Sequence, residues 1–483
     1  MKWPDKLKTA YQQLSNAKKT SIYFTICNFL QRGTAFITVP IFTRLLTTEE
    51  YGVYSVYQTW FELLVVVTSL KLPYEGLNNG LIRYEEDKDG YVSSIAGLIS
   101  VMTLGWLVVY LLFRRWIDQF IGLSSLLMGL MFIEIFFNPP LYLWTNRERF
   151  DFRYRAPVAV TVASTIASPV IAIVAVLCTP YKAEARIIAT VAVQGVSGAA
   201  LYVYLLKKGG KFFDATYWKF ALRFNLPLIF YYLSQTVLNQ ADRIMINYYE
   251  GTGSTAIYSV AYTAATLTLL LVSAINGSYN PWMYKKLKAG AYGEIRKQST
   301  LICLMLGVVV LLMTAFAPDL VALLATGEYQ SAIWVIPPVA ASVFFVFLYM
   351  LFANVEMYYG ETRLIPAVSI ISAGANLVLN AIFIPLFGFL AAGWTTLVSY
   401  VLLTLLHFLV MKRACRRHSV EENVFAEKKL AALTAAVIVG CFAMMALYRV
   451  GYWRYVVFLL AGLAGIWKRK SLLALLKKGT GEE

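Results

Sequence analysis

Fourteen apolar stretches, nearly all long enough to cross a bilayer, follow one another along the 483 residues, and the basic residues between them fall almost wholly into alternate gaps. A hydrocarbon core about 30 Å thick takes about 20 mostly apolar residues per helical span. The candidates are Ser21–Leu46, Tyr54–Leu77, Val92–Phe113, Phe120–Trp144, Ala156–Cys178, Ile187–Leu206, Phe224–Tyr248, Ala256–Ile275, Ser299–Ala317, Ala332–Asn354, Leu364–Ile384, Ala391–Met411, Leu430–Leu447 and the shorter Tyr455–Trp467. With the N-terminus inside, 33 Lys and Arg fall in segments on that side, 6 on the other, and four of the 43 (Arg32, Arg44, Lys71 and Arg243) within spans. Short loops follow the positive-inside rule, so both termini are expected in the cytoplasm. The formal charge of +16 therefore reflects topology and contact with anionic lipid, not nucleic-acid binding.

Composition closes other classes. At 59% hydrophobic with mean hydropathy +0.61, the chain has too little polar sequence for a separate soluble domain. The five cysteines (Cys27, Cys178, Cys303, Cys415 and Cys441) are scattered, which gives no disulfide framework and no metal pair. Cys415, between basic residues of a loop, is expected to be cytoplasmic and exposed. The first span is too long for a signal-peptide core and is expected to stay as a signal anchor. Tyr51, Tyr54, Tyr57, Tyr217 and Trp218 cluster near span ends, as an interfacial belt requires.

An internal repeat organises the spans. Tyr54-Ser55-Val56 entering the second span matches Tyr258-Ser259-Val260 entering the eighth, at a constant offset with six helices between the copies. The expected architecture is an all-α integral membrane protein of about 14 transmembrane helices in two pseudo-symmetric six-helix bundles. Its boundaries are a cytoplasmic segment 1–19, a first lobe 20–206, a connector 207–216, a second lobe 217–411, a loop 412–429, two additional helices 430–467 and a tail 468–483.

Polar side chains inside a span must face protein or water, so their spacing marks a cavity-facing side. Asn28, Gln31, Arg32 and Thr38 recur at helical spacing in the first span, and Gln58, Glu62 and Ser69 in the second. Gln235, Asn239, Asp242, Arg243 and Asn247 do so in the seventh. Arg32 lies about 17 Å along its span, where an unpaired charge costs at least about 2.5–3.5 kcal/mol. Two readings stay open for it: a structural pair with Glu62, or an anion-binding group in a cavity. Arg44 and Lys71 lie near span ends, where snorkelling competes with function. Asp242 and Arg243 point about 100° apart, so one lines the cavity while the other ties helices together. Glu134 has two readings, and His407 is expected to be a packing residue. No HExxH, GxSxG, P-loop or GxGxxG motif is present, so no catalytic residue, cofactor or metal is expected and the chain reads as a transporter, not an enzyme.

The run from Arg44 through Glu49, Glu50, Tyr51, Gly52 and Tyr54 to Ser55 closely resembles the signature ending the first helix in Wzx-type polysaccharide flippases, members of the multidrug/oligosaccharidyl-lipid/polysaccharide (MOP) exporter superfamily. Pro227, Asp242-Arg243, Tyr258, Asn280-Pro281, Asn376, Asn380, Pro385, Gly388, Gly393, Thr396 and Ser399 extend the likeness over roughly residues 20–411. Lys71 and Pro73 depart from it, interrupting a stretch that is usually Gly-rich. The resemblance implies a V-shaped two-lobe fold that flips undecaprenyl-pyrophosphate-linked oligosaccharide across a bacterial plasma membrane, for O-antigen, capsule or exopolysaccharide assembly. On that reading Arg32, Arg243 and Arg44 are substrate-binding groups for the diphosphate, with Asn28, Gln31 and Asn239 for sugar hydroxyls. Asp242 and Glu62 are candidates for coupling to a proton or sodium ion. Further expected partners are membrane lipid and a polysaccharide polymerase or chain-length regulator. The alternatives are a multidrug/cation antiporter of the same superfamily and a membrane-bound glycan polymerase or ligase.

Overall fold

The computed structural model describes residues 15–420, 422–451 and 453–456, and every regular element among them is a helix. The first 14 residues, most of the fourteenth stretch and the tail 468–483 lie outside the described residues. Ten helical segments are long and apolar enough to cross a membrane. Three more are long enough but less apolar, and these are the helices that carry the polar stripes around Arg32, Glu62 and Asp242.

The chain forms two compact units, Met1–Gln240 and Ala241–Glu483. The first contains α1 (Asn16–Leu45), α2 (Thr48–Ser69), α3 (Glu75–Arg83), α4 (Lys88–Leu112), α5 (Arg114–Ile121), α6 (Ser125–Phe150), α7 (Arg155–Leu177), α8 (Lys182–Gly209) and most of α9 (Ala215–Glu250). The second holds the end of α9, α10 (Thr252–Thr266), α11 (Thr268–Lys288), α12 (Tyr292–Ala315), α13 (Ala317–Leu324), α14 (Ile336–Tyr358), α15 (Ile365–Phe387), α16 (Leu390–Arg417) and α17 (Glu427–Leu447). The segment 207–216 contains the turn between α8 and α9, while the division between units falls later, inside α9.

Each unit uses the same neighbour scheme. In the first, α6 packs on α4 and α8, and α7 packs on α8; in the second, α14 packs on α12 and α16, and α15 packs on α16. The repeated tyrosines keep register too, because Tyr54 and Tyr258 are each the seventh residue of their helix, α2 and α10.

Local chemistry sets the helix ends and moves two of the expected boundaries. Thr47 and Glu50 form a reciprocal capping box at the start of α2, with Glu50 N–H donating to the Thr47 hydroxyl at 3.2 Å and Thr47 N–H to the Glu50 carboxylate at 2.8 Å. The second stretch, expected to run unbroken to Leu77, ends at Ser69. Leu70 and Lys71 both adopt left-handed backbone (φ 48° and 52°) and Pro73 follows without an N–H. The eighth stretch is likewise two helices that meet at Leu267, and α11 continues to Lys288, so Asn280-Pro281 lies inside a helix instead of after one. Cys415, expected to be exposed, is buried: Val424 and Phe425 of the following segment are themselves buried, and Val420 N–H returns to the Cys415 carbonyl at 2.9 Å.

Close packing fixes the first unit. Gly198 of α8 faces the α6 backbone so closely that a Cβ there would stand 1.9 Å from the Phe137 carbonyl oxygen. Asn138 donates to Gln194 between the same helices at 2.9 Å. Gly198→Val is therefore expected to force α6 and α8 apart at a cost of roughly 1–3 kcal/mol, read as a lower thermal midpoint of the purified protein. At one end of these helices Arg147 donates to Asp89 at 2.9 Å and to Asp151 at 2.6 Å, while Lys208 reaches Asp89 at 3.3 Å. Burial raises the proton affinity of the Asp151 carboxyl, but the hydrogen bond and charge of Arg147 outweigh it and hold the group below its ordinary value.

Candidate functional site

A buried carboxylate of the second unit is Asp242, 1% exposed near the end of α9. Its carboxylate accepts four hydrogen bonds from neutral groups on three other helices. Tyr258 of α10 and Thr396 of α16 donate hydroxyls to Oδ2, while Asn380 and Asn376 of α15 donate amides to Oδ1 at 2.6 and 3.4 Å. Thr395 in turn donates to the Asn380 side-chain oxygen, which fixes that amide's orientation. A bare carboxylate in a span is prohibitive, and four donors make it tolerable without any ion pair among the described residues. The residues supply one carboxylate with amide and hydroxyl oxygens close by. That donor set suits a proton or a small hard monovalent cation, and no cluster of three or more His, Cys, Asp or Glu able to hold a metal exists among the described residues.

Arg243, the next residue, turns away as helical geometry demands. Its Nε donates to the Ser259 hydroxyl at 3.2 Å, and its guanidinium lies 4.4 Å from the Tyr262 ring centre. Both Asp242 and Arg243 thus bind within one turn of the repeated motif around Tyr258.

In the first unit, Asn28, Gln31 and Arg32 all lie exposed on α1. Glu62 is exposed on α2, and no ion pair joins it to Arg32. Arg44 is exposed and donates to the Pro40 carbonyl, one turn earlier in α1, at 2.7 Å. Asn239, half-buried, donates to the Gln235 carbonyl at 2.7 Å. Lys71 lies over the Tyr74 ring at 4.8 Å.

Three buried polar groups had no place in the sequence-derived site. Glu134 of α6, fully buried, accepts from the Tyr57 hydroxyl at 2.7 Å, and its second oxygen has no partner. Arg186 of α8 is held against the rings of Tyr54 at 3.5 Å and Phe42 at 3.8 Å, a cation clamped by the signature segment. Glu356 meets His407 at 3.0 Å, so His407 is a satisfied packing residue. The cage around Asp242 was also unassigned, although Asn376 and Asn380, four residues apart in an otherwise apolar helix, signalled a shared polar partner.

Comparison with known proteins follows this geometry. A family model described as polysaccharide biosynthesis protein matches residues 17–286, and the MatE model matches residues 227–382. A protein of Haemophilus influenzae, Lsg locus putative protein 1, is 21% identical over 369 residues, covering 73% of this chain and 88% of that protein. Among solved structures, the lipid II flippase MurJ in an inward closed conformation superposes with TM-score 0.69 at 14% identity, over 93% of this chain and all of its own. An inward-facing multidrug resistance MATE family transporter of the MOP superfamily gives 0.60 at 13% identity, over 83% of this chain and all of its own. At such identities the likeness is one of fold.

Proposed function

The chain belongs to the polysaccharide biosynthesis protein family, as a multi-pass membrane transporter of the MOP superfamily, and from that premise we propose that it flips a polyprenyl-diphosphate-linked oligosaccharide across the bacterial plasma membrane. The observation that carries the substrate class is Arg32: an exposed arginine on a long helix, flanked by Asn28 and Gln31, without a carboxylate partner among the described residues. Such a group is stabilised in the membrane by an anion, and a guanidinium matches diphosphate oxygens in bidentate geometry. The amides beside it suit sugar hydroxyls. The polyprenyl tail stays in lipid, so only the head needs shelter during alternating access. Asp242 takes up the coupling proton or sodium ion, because loading its carboxylate changes the balance of hydrogen bonds that ties α9 to α10, α15 and α16. The excess of basic residues on the side of the N-terminus supports cytoplasmic termini, with loading from the cytoplasmic leaflet.

Deleting the gene in its host is expected to abolish surface polysaccharide and to accumulate lipid-linked repeat units in the inner leaflet, both restored by the wild-type chain. Normal surface glycan after deletion would remove this reading. A cation antiporter is the second reading, favoured by the match to the MatE model and by buried Glu134. It predicts export of cationic dyes with surface glycan unchanged.

A further inference from the structure

Away from the groups above, one cluster of cations is unpaired. Where α3 ends and α9 begins, Arg83, Tyr84, Lys219, Phe220, Arg223 and Phe224 line a cavity of about 720 Å³. The start of α9 is fixed by Asp214, whose Oδ1 accepts the backbone N–H groups of Thr216 and Tyr217 at 2.9 and 3.1 Å. Tyr217 then turns inward, buried against Tyr91 and Ala221, and its hydroxyl donates to Asp87 at 2.8 Å. That anchoring sets the rotation of the helix, so Lys219 and Arg223 face outward and are exposed. Arg83 lies with its guanidinium 5.0 Å from the Phe220 ring centre, which steadies the charge and leaves its N–H groups to a ligand.

None of Arg83, Lys219 and Arg223 forms an ion pair among the described residues. Nearby Lys211 shows the contrast. Its Nζ donates to Asp87 at 2.6 Å, and that bond raises its proton affinity. Beyond Arg223 the same face of α9 becomes apolar: Leu226 and Phe230 follow at three and seven residues, 50% and 60% exposed. Phe230 lies about 10 Å along the helix from Arg223. The face therefore reads as cations first and exposed apolar side chains next.

A ligand matching this face has an anionic head joined to a long apolar tail. Free phosphate would make no use of Leu226 and Phe230. A phospholipid phosphodiester brings a single negative charge to three cations, whereas a diphosphate diester brings two. We propose that this cavity is a docking site for the diphosphate head of a polyprenyl-linked lipid, with the tail lying along Leu226 and Phe230. The proposal rests on the substrate reading above and adds where that lipid first meets the protein, on the face that the basic-residue asymmetry assigns to the cytoplasm.

The test uses the purified full-length protein in neutral-lipid nanodiscs, with undecaprenyl diphosphate, phosphatidylglycerol and inorganic diphosphate as probes. The triple variant Arg83→Gln, Lys219→Gln, Arg223→Gln is expected to weaken undecaprenyl diphosphate binding about a hundredfold. The control Lys297→Gln, Lys429→Gln, in a second basic cavity of the other unit, is expected to leave it unchanged. All replaced side chains of the triple variant are exposed, and the wild-type protein supplies an independent arm: its binding should weaken steeply with added salt. Unchanged affinity in the triple variant overturns the site, as does equal competition by phosphatidylglycerol, which would make it a general anionic-lipid surface, or equal affinity for inorganic diphosphate. Failure of the wild-type protein to bind undecaprenyl diphosphate at all would instead remove the substrate reading.

Discussion

Asp242→Asn is expected to reduce glycan export by at least about a hundredfold while leaving the protein folded. Asparagine keeps the shape of aspartate and one acceptor oxygen, so Tyr258 and Thr396 retain a partner on that side. What it loses is the Oδ1 acceptor of Asn380 and Asn376, together with the ability to exist as carboxylate and to exchange a proton or cation. If that exchange drives the cycle, a near-isosteric change stops transport without disturbing packing. Asp242→Ala should behave differently, because it strips partners from Asn380, Tyr258 and Thr396 in a fully buried place. Each orphaned donor costs about 1–3 kcal/mol, and the thermal midpoint of the purified variant should fall accordingly. Surface glycan blots, read beside thermal unfolding of the same variants, separate the two effects. Export at the wild-type level in Asp242→Asn would reduce the cage to a structural feature.

The second large effect is expected at Arg32. Arg32→Ala should abolish surface glycan with protein level and thermal midpoint unchanged, because the side chain is exposed and makes no ion pair among the described residues. Arg32→Lys should recover only part of the activity. An ammonium restores charge but not the paired N–H groups that fit two phosphate oxygens. The double variant Arg32→Ala, Glu62→Ala checks the separation seen in the structure. It should be as inactive as Arg32→Ala alone, and restored export would mean that the two residues neutralise each other during the cycle.

Much of this fold was legible because a bilayer imposes a fixed span length and forbids unpaired backbone, which makes apolar stretches strong signals. The repeat was legible from Tyr54 and Tyr258, which keep the same register in their helices. The breaks were not. Leu70 and Lys71 adopt left-handed backbone without being glycine, and no residue near Leu267 announces an interruption. At the site, Asp242 and Arg32 stood out as ionisable residues well inside expected spans. Their surroundings depended on tertiary packing: Asn376, Asn380 and Thr396 come from helices more than a hundred residues away in sequence. Arg186 lies one residue before the expected span Ile187–Leu206, yet the start of α8 carries it into the rings of Tyr54 and Phe42. In that clamp the signature segment around Tyr51–Ser55 has a physical task in the first unit, while its repeat around Tyr258 serves the Asp242 cage in the second.

Ion-coupled movement of a lipid-linked sugar is the central claim, and reconstitution tests it most directly. Purified protein in proteoliposomes, supplied with a fluorescent polyprenyl-diphosphate oligosaccharide in one leaflet, should move it to the other at a rate that rises with an imposed proton or sodium gradient, and Asp242→Asn should abolish the gradient-driven part. Movement at the same rate without any gradient, and in Asp242→Asn as in the wild type, would contradict the account.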